Sequence, residues 1–278
     1  MKYLFCLILL IIGQSNMTFG QPIKVMSYNI RLDVASDGVN AWPKRTQKVA
    51  ALIQKYNPDI LGVQEALHHQ LQDLLKLLPE YDYTGVGRDD GQQKGEFSAI
   101  LFKKKRFKLL RDSTFWLSET PTVPGSKSWD AAITRIASIG HFSDQKSKRE
   151  FLLINTHFDH IGKIARANSA RLITQAVSAY QTSKDIPVIV SGDFNSERSE
   201  QAYQNMLATG LLDSKPASDN TGTFCGFEVG KIICNPIDFI FYSIHWKSNH
   251  YQVIQDHDGQ YYPSDHLPVM AEFRLTKK

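Results

Sequence analysis

The stretch PVIVSGDFNS, residues 187–196, decides how this chain is read. Pro187 to Ser191 form a short run of apolar, β-branched residues closed by Gly192, the pattern of a buried strand. Past its end stand Asp193 and Asn195, two residues apart, so in extended backbone their side chains point the same way. Taken alone, an Asp-Phe-Asn after a strand describes a turn as well as a site. Its surroundings decide between the two.

Upstream, Phe151 to Thr156 read as a strand running into Asn155-Thr156-His157, and a helix over Ala165 to Gln181 leads to the strand at 187. The same unit occurs earlier. Ile23 to Tyr28 read as a strand ending at Asn29, Lys44 to Tyr56 as an amphipathic helix, and Ile60 to Val63 as a buried strand ending in Gln64-Glu65. Both halves therefore place polar residues just past the C-terminal ends of apolar strands, where α/β sites form. Downstream, Asp238 and the pair Asp265-His266 instead precede their strands, Asp238 to Tyr242 and Leu267 to Leu275. For all these groups to meet at one edge, the last strands must run opposite to the earlier ones. Mixed sheets follow, not a purely parallel one. Further elements are expected as a helix over Leu67 to Leu78, ended by Pro79, and strands at Phe97 to Phe102, Ile133 to Phe142 and around Trp246 to Ile254.

With 278 residues, 42% hydrophobic and 22% charged, the composition is that of an ordinary globular protein and excludes disordered, collagen-like and coiled-coil classes. The N-terminus carries Lys2, then the apolar run Tyr3 to Ile12, then polar Gln14 to Asn16. That run is too short to span a hydrocarbon layer of ~30 Å, but it suits a signal-peptide core. Residues 1–20 are read as a signal peptide and 21–278 as one domain, exported to the periplasm or the extracellular space, monomeric and without stable membrane insertion. Cys6 lies inside the apolar run, which argues against a lipoprotein. Removing Lys2 takes the formal charge from +4 to +3, too mild to imply a nucleic-acid partner. The densest basic run, Lys103 to Lys108, reads as a solvated hairpin or a protected sheet edge. Cys225 and Cys234 are either a loop-closing disulfide or two separate thiols, and no Cys/His cluster suggests zinc.

Six segments resist explanation by packing: SYNIR (27–31), VQEA (63–66), NTHFDH (155–160), SGDFNS (191–196), IDFIF (237–241) and SDHLP (264–268). In that order they resemble the endonuclease/exonuclease/phosphatase superfamily, over about Ile23 to Leu275. FWLSETP (115–121) and GTF (222–224) further resemble a bacterial branch of metal-dependent hydrolases. The resemblance implies a DNase I-like α/β fold, a four-layer sandwich of two packed mixed β-sheets flanked by helices.

By the same resemblance Glu65 is the principal metal ligand, Asn29 a ligand or its neighbour, and Asp265 a contributor to the metal site directly or through water. These hard oxygens suit Mg²⁺ or Mn²⁺. Asp193 is similar to the residue that orients or deprotonates the attacking water, and Asn195 to one that holds that water or a phosphoryl oxygen. His266 corresponds to the histidine at the scissile phosphate, with Asp238 fixing its tautomer. A charged His266 would stabilise a phosphoryl oxygen, whereas a neutral one would be the general base. His157 and His160 resemble phosphate contacts, and Asp159 shares a face with His157 and is expected to orient it. Arg135, placed inside the strand from Ile133, is either a phosphate clamp or the partner of a carboxylate. Phe224, Phe227, Trp116 and Trp129 are candidate pocket walls or core aromatics. His68, His69, His245, His250 and His257 are expected at the surface.

The implied reaction is in-line attack of activated water on a phosphodiester or phosphomonoester. No Gly-x-Ser-x-Gly elbow suggests a covalent intermediate. Three substrate classes stay open: nucleic acid, which wants a basic track; sugar or inositol phosphates, which want a compact cationic pocket; and phospholipid, which wants an exposed aromatic hairpin not evident here. The Trp-Cys-Asp-Arg stretch of inositol 5-phosphatases is absent. A phosphoryl-ligand-binding protein that lost its chemistry is the alternative of another class, though Glu65, Asp193, Asn195, Asp238 and His266 are all present.

Overall fold

The computed structural model describes residues 21–276; the expected signal peptide lies outside the described residues. Among the described residues twelve strands form two six-stranded sheets. The first half of the chain gives β1 (Ile23–Asn29), α1 (Trp42–Tyr56), β2 (Ile60–Ala66), α2 (His68–Leu77), β3 (Tyr81–Thr84) and β4 (Phe97–Lys103). The second gives β5 (Phe107–Trp116), β6 (Ile136–Asp144), β7 (Glu150–His157), α3 (Lys163–Lys184), β8 (Val188–Asp193), α4 (Gln201–Leu207), β9 (Leu212–Asp213) and β10 (Asp238–Tyr242). The chain then returns to the first sheet as β11 (Trp246–Val253) and β12 (Val269–Leu275).

Strand order is β11-β12-β1-β2-β4-β3 in one sheet and β5-β6-β7-β8-β10-β9 in the other. β1 and β2 run parallel, as do β7 and β8, while β12, β4, β6 and β10 run against them. Both sheets are therefore mixed, as the polar residues at the strand ends required, and the two halves repeat one strand plan.

Strand periodicity sorts the core into layers. Val25, Ile60 and Ile100 of the first sheet meet Leu153, Ile189 and Ile240 of the second in a buried middle layer. The alternate residues Met26, Tyr28, Leu61 and Val63 pack outward beneath α1 and α2, and Ile154, Val190 and Phe239 pack outward beneath α3 and α4. Toward one edge the middle layer turns polar. Buried Asn155 donates to the carbonyls of Val63 and Ala99, both at 2.8 Å, and so stitches β7 to the opposite sheet. Its Oδ1 accepts from Gln64 at 2.7 Å and from Ser191 at 3.2 Å. Gly62 makes this approach possible, because a Cβ there would sit 2.4 Å from Asn155 Oδ1.

Several local expectations change. The strand expected from Ile133 begins at Ile136, because the N–H groups of Ala132 and Ile133 bond the Asp159 carboxylate and the chain leaves the ladder there. The basic run is not a hairpin within one sheet, and only its end, Lys108, lies on an edge strand, β5. It is the crossing from β4 to β5, between sheets, and within it Arg106 is buried against Asp59 at 2.6 Å. β3, β5, α4 and β9 were not anticipated. Cys225 and Cys234 form a disulfide.

Candidate active site

The C-terminal ends of β1, β2, β7 and β8 converge with the N-terminal ends of β4, β6, β10 and β12 around a cleft of about 310 Å³. Asn29, the last residue of β1, donates from Nδ2 to Glu65 Oε1 and to Asp193 Oδ2, both at 3.0 Å. Its Oδ1 accepts the Arg31 N–H at 3.0 Å, which fixes which way the amide faces. Asn29 thus turns its nitrogen, not its oxygen, toward the two carboxylates.

Glu65 sits on a β-bulge between Val63 and Ala66 with φ +62°, a left-handed conformation that a non-glycine residue adopts at a cost. The bulge lifts its side chain off the ladder into the cleft. Burial alone would raise its pKa, but the Asn29 hydrogen bond, the His266 and Arg31 charges and the Leu32 N–H together hold it below the ordinary value.

Asp193 is the hub. Its Oδ1 accepts the N–H of Asn195 at 2.9 Å, in a turn where Asn195 takes φ +45°. Its Oδ2, besides the Asn29 bond, lies 3.3 Å from His157 Nε2 and 3.6 Å from His266 Nε2. Burial and then the neighbouring Asp238 push its pKa well above the usual carboxylate range. Asn195 Nδ2 stands 3.1 Å from His157 Nε2 and donates to the Phe158 carbonyl at 3.1 Å. Burial, with Arg135 next, pulls His157 far below its ordinary pKa.

Across the β8–β10 ladder Asp238 lies opposite Asp193, and its Oδ2 is 2.9 Å from His266 Nδ1. A carboxylate can only accept, so Nδ1 carries the proton and Nε2 faces Asp193. Burial would lower the His266 pKa, but Asp238 and Asp193 outweigh it and raise it to about 10. The ring of Phe224 packs against His266, centroids 4.9 Å apart.

Arg135 and His160 stand together on one side of the cleft. Arg135 falls just before β6 rather than inside a strand; its Nη1 is 3.8 Å from Glu96 and its Nη2 3.4 Å from His160 Nδ1. It thus faces the cleft and pairs with a carboxylate at once. One expectation does not hold. Asp159 does not orient His157: its carboxylate accepts the N–H groups of Ala132, Ile133, Ile161 and Gly162 and knots two loops. Of the aromatics, Phe224 lines the cleft, Phe227 lies over the Arg45 guanidinium at 5.5 Å, and Trp116 is buried with its indole N–H on the Arg88 carbonyl at 2.6 Å.

The structure adds Arg31 and Glu96 to the cleft. Arg31 stands 3.7 Å from Glu65 and 3.9 Å from Asp265; its place at the end of SYNIR, past an apolar strand, was the available signal. Glu96, bonded to Arg88 at 2.7 Å, precedes β4 as Asp238 opens β10. The half-to-half repeat could have located it. A second cleft of about 340 Å³ lies at the opposite edge, lined among others by Arg149, Lys184, Asp185 and His245.

Strand ends, carboxylate hub and histidine–aspartate pair define the class. The chain belongs to the family described as "Endonuclease/Exonuclease/phosphatase family", which matches residues 26–266. Among solved structures it is similar to an endonuclease/exonuclease/phosphatase family protein from Bacteroides thetaiotaomicron, 38% identical with TM-score 0.87, covering 93% of this chain and 99% of that one. It is also similar to a mannosyl-6-phosphatase from the same organism, 39% identical with TM-score 0.84, covering 90% and 99%. Among curated proteins, human Nocturnin is 25% identical, over 92% of this chain but 66% of its own length, so the chain spans somewhat less than two thirds of that relative. Family members are hydrolases of phosphate esters and generally depend on a divalent metal. Among the described residues no helix is long and apolar enough to cross a membrane.

Two groups in the site could hold such an ion. Asp193, Asp238 and His266 bring ligand atoms within 4.8 Å of one another, and Asp238 Oδ1 is buried without a partner while Oδ2 holds His266 Nδ1. Glu65 and Asp265 offer hard oxygens that both line the cleft. The Asp265 carboxyl is raised by burial and by the Glu65 charge, a repulsion that a divalent cation between the two would relieve. The donor set fits a magnesium-like ion at that second place.

Proposed function

We propose that this protein is an exported, divalent-metal-dependent phosphoesterase that acts on the phosphate of a small polar molecule, a sugar phosphate being the favoured kind, by in-line attack of water. The carrying observation is the convergence of Asn29, His157 and His266 on one oxygen of Asp193. Glu65 and Asp265 would hold Mg²⁺ or Mn²⁺, which supplies Lewis-acid stabilisation of charge on the phosphoryl oxygens. Asp193 accepts the proton of the attacking water, and the side chain of Asn195 orients that water or a phosphoryl oxygen. His266, kept charged by Asp238, hydrogen-bonds from Nε2 to a developing phosphoryl oxyanion. The P–O bond to the substrate alcohol breaks opposite the incoming oxygen, and the leaving oxygen takes a proton from water. Arg135, His160 and His157 receive the remaining phosphate oxygens.

A small substrate is favoured by the cleft itself. Its cations Arg31 and Arg135 are each already paired with carboxylates, and the basic run at Lys103 lies at the far end of β4 from Glu96. Among the described residues lining the cleft, the two arginines are thus shared with carboxylates, which favours a single phosphate over a run of them. The 39% identical mannosyl-6-phosphatase supports the same choice. A purely binding role is disfavoured by the retention of every residue the reaction needs. The protein would work as a single domain over 21–278, as a monomer, after loss of residues 1–20.

The test is phosphate release by the chain starting at Gln21, from sugar phosphates, inositol phosphates, nucleotides, RNA and DNA, with Mg²⁺, Mn²⁺ or EDTA. EDTA-sensitive release from sugar phosphates, lost in Asp193→Ala, is the expected result. Preference for RNA or DNA would overturn the substrate class, and metal-independent release would overturn the mechanism.

A further inference from the structure

Asp238 opens β10 and His266 precedes β12, so neither is held at its site by a full ladder on both sides. One residue connects the two. The Thr223 Oγ1 accepts the N–H of Ile237 and the N–H of Asp238, each at 3.1 Å, and donates its proton to the Asn235 carbonyl at 3.3 Å. A hydroxyl has one proton and two lone pairs, so this fully buried side chain is completely used. The Thr223 carbonyl in turn accepts the Leu267 N–H at 2.7 Å, and the Cys225 N–H donates to the Asp265 carbonyl at 3.0 Å. The backbone from 223 to 225 therefore grips His266 from both sides. The Cys225–Cys234 disulfide closes this ribbon beside Asn235, whose carbonyl also takes the N–H groups of Thr223 and Phe224.

We propose that Thr223 is the positioning residue of the Asp238–His266 pair. Its hydroxyl fixes where β10 begins, its carbonyl fixes where the His266 segment runs, and the two together bring Nδ1 onto Asp238 and Nε2 toward Asp193. Thr223 itself touches no reacting atom. The γ-methyl group, by restricting χ1, keeps the hydroxyl aimed at the two N–H groups. The inference rests on the proposed catalytic reading of His266.

The test compares Thr223→Val, which keeps the shape and removes the hydroxyl, with Thr223→Ser, which keeps the hydroxyl, using His266→Ala as the control. With p-nitrophenyl phosphate and Mg²⁺, Thr223→Val should lower kcat by about 10- to 100-fold with KM within about twofold, and Thr223→Ser should stay within about threefold of wild type. In parallel, the low-field proton resonance of His266 Nδ1–H, assigned by its loss in His266→Ala, should shift or broaden in the valine variant and return in the serine one. Wild-type kcat and an unmoved resonance in Thr223→Val would overturn the proposal. Should valine not fold, Thr223→Ala, which leaves room for a water, must show the same losses. If wild type does not cleave this ester, the same comparison is made on a sugar phosphate that it does hydrolyse; if His266→Ala keeps full turnover, the catalytic reading fails and the resonance alone decides the role of Thr223.

Discussion

Asn29 and Asp193 stand 164 residues apart in the chain, yet one hydrogen bond of 3.0 Å joins them across the seam between the two sheets. The same amide nitrogen reaches Glu65, so a single side chain spaces the carboxylate proposed for the metal from the one proposed for the water. Asn29→Asp would replace that donor with a third negative charge. Turnover should fall by about 100-fold, with Asn29→Ala falling less, because a 1 Å displacement of reacting groups has that order of effect. Equal turnover in the aspartate variant would show that the spacing is immaterial.

Metal binding should appear as stability. A ligand that binds only the folded state adds about 2.7 kcal/mol at one hundred times its Kd, so Mg²⁺ or Mn²⁺ should raise the Tm of the wild-type chain. Glu65→Ala is expected to lose that rise. A rise of the same size in the variant would place the ion elsewhere, with Asp193, Asp238 and His266 the next group to test.

The pH profile of turnover follows from Asp193 and His266. The Asp193 carboxyl is raised by burial and by Asp238, and it must be ionised to accept a proton. Activity should therefore climb as pH rises toward neutrality. His266, raised to about 10 against its burial by Asp238 and Asp193, remains charged over that range, so the falling limb should lie on the alkaline side. Measured kcat/KM that is flat from pH 5 to 8 would remove Asp193 from the role of base.

Asp159 should matter to stability first. Its four backbone N–H bonds outweigh burial and hold its pKa below the ordinary value, so its stabilisation is complete above that value and fades as pH falls through the lowered one. Asp159→Ala orphans those donors and should cost about 1–3 kcal/mol in urea unfolding at neutral pH. The deficit should narrow in acid, and a deficit independent of pH would deny the carboxylate that part.

Asn155 carries the seam below the site. Asn155→Leu fills the volume but strands the carbonyls of Val63 and Ala99 and the Gln64 amide, and should destabilise the fold by about 2–4 kcal/mol. Unfolding at the wild-type urea midpoint would mean that water replaces the amide.

Much of this was legible in the residues themselves. Strand ends at Asn29, Glu65, His157 and Asp193, set against Asp238 and His266 that come before their strands, dictate antiparallel returns and hence mixed sheets. That argument needs only strand polarity, which local sequence carries. Period-two apolar runs likewise foretold the layers, because each strand buries alternate side chains on opposite faces. Weak elements escaped: β3 and β9 are short edge strands with little apolar signal, and β5 buries only its two end residues, Phe107 and Trp116.

Sequence by itself thus determined which residue types reach the site edge and from which strand ends, because both follow from the local direction of the chain. It could not decide their partners. Asp159 lies two residues from His157 and in extended backbone would share its face, but the chain leaves β7 at His157 and the carboxylate turns to loop N–H groups. The meeting of Asn29 with Asp193 and the bonds of Asn155 to Val63 and Ala99 depend on how two sheets pack face to face. Those distances are set by long-range burial and the close approach at Gly62, which no local pattern encodes.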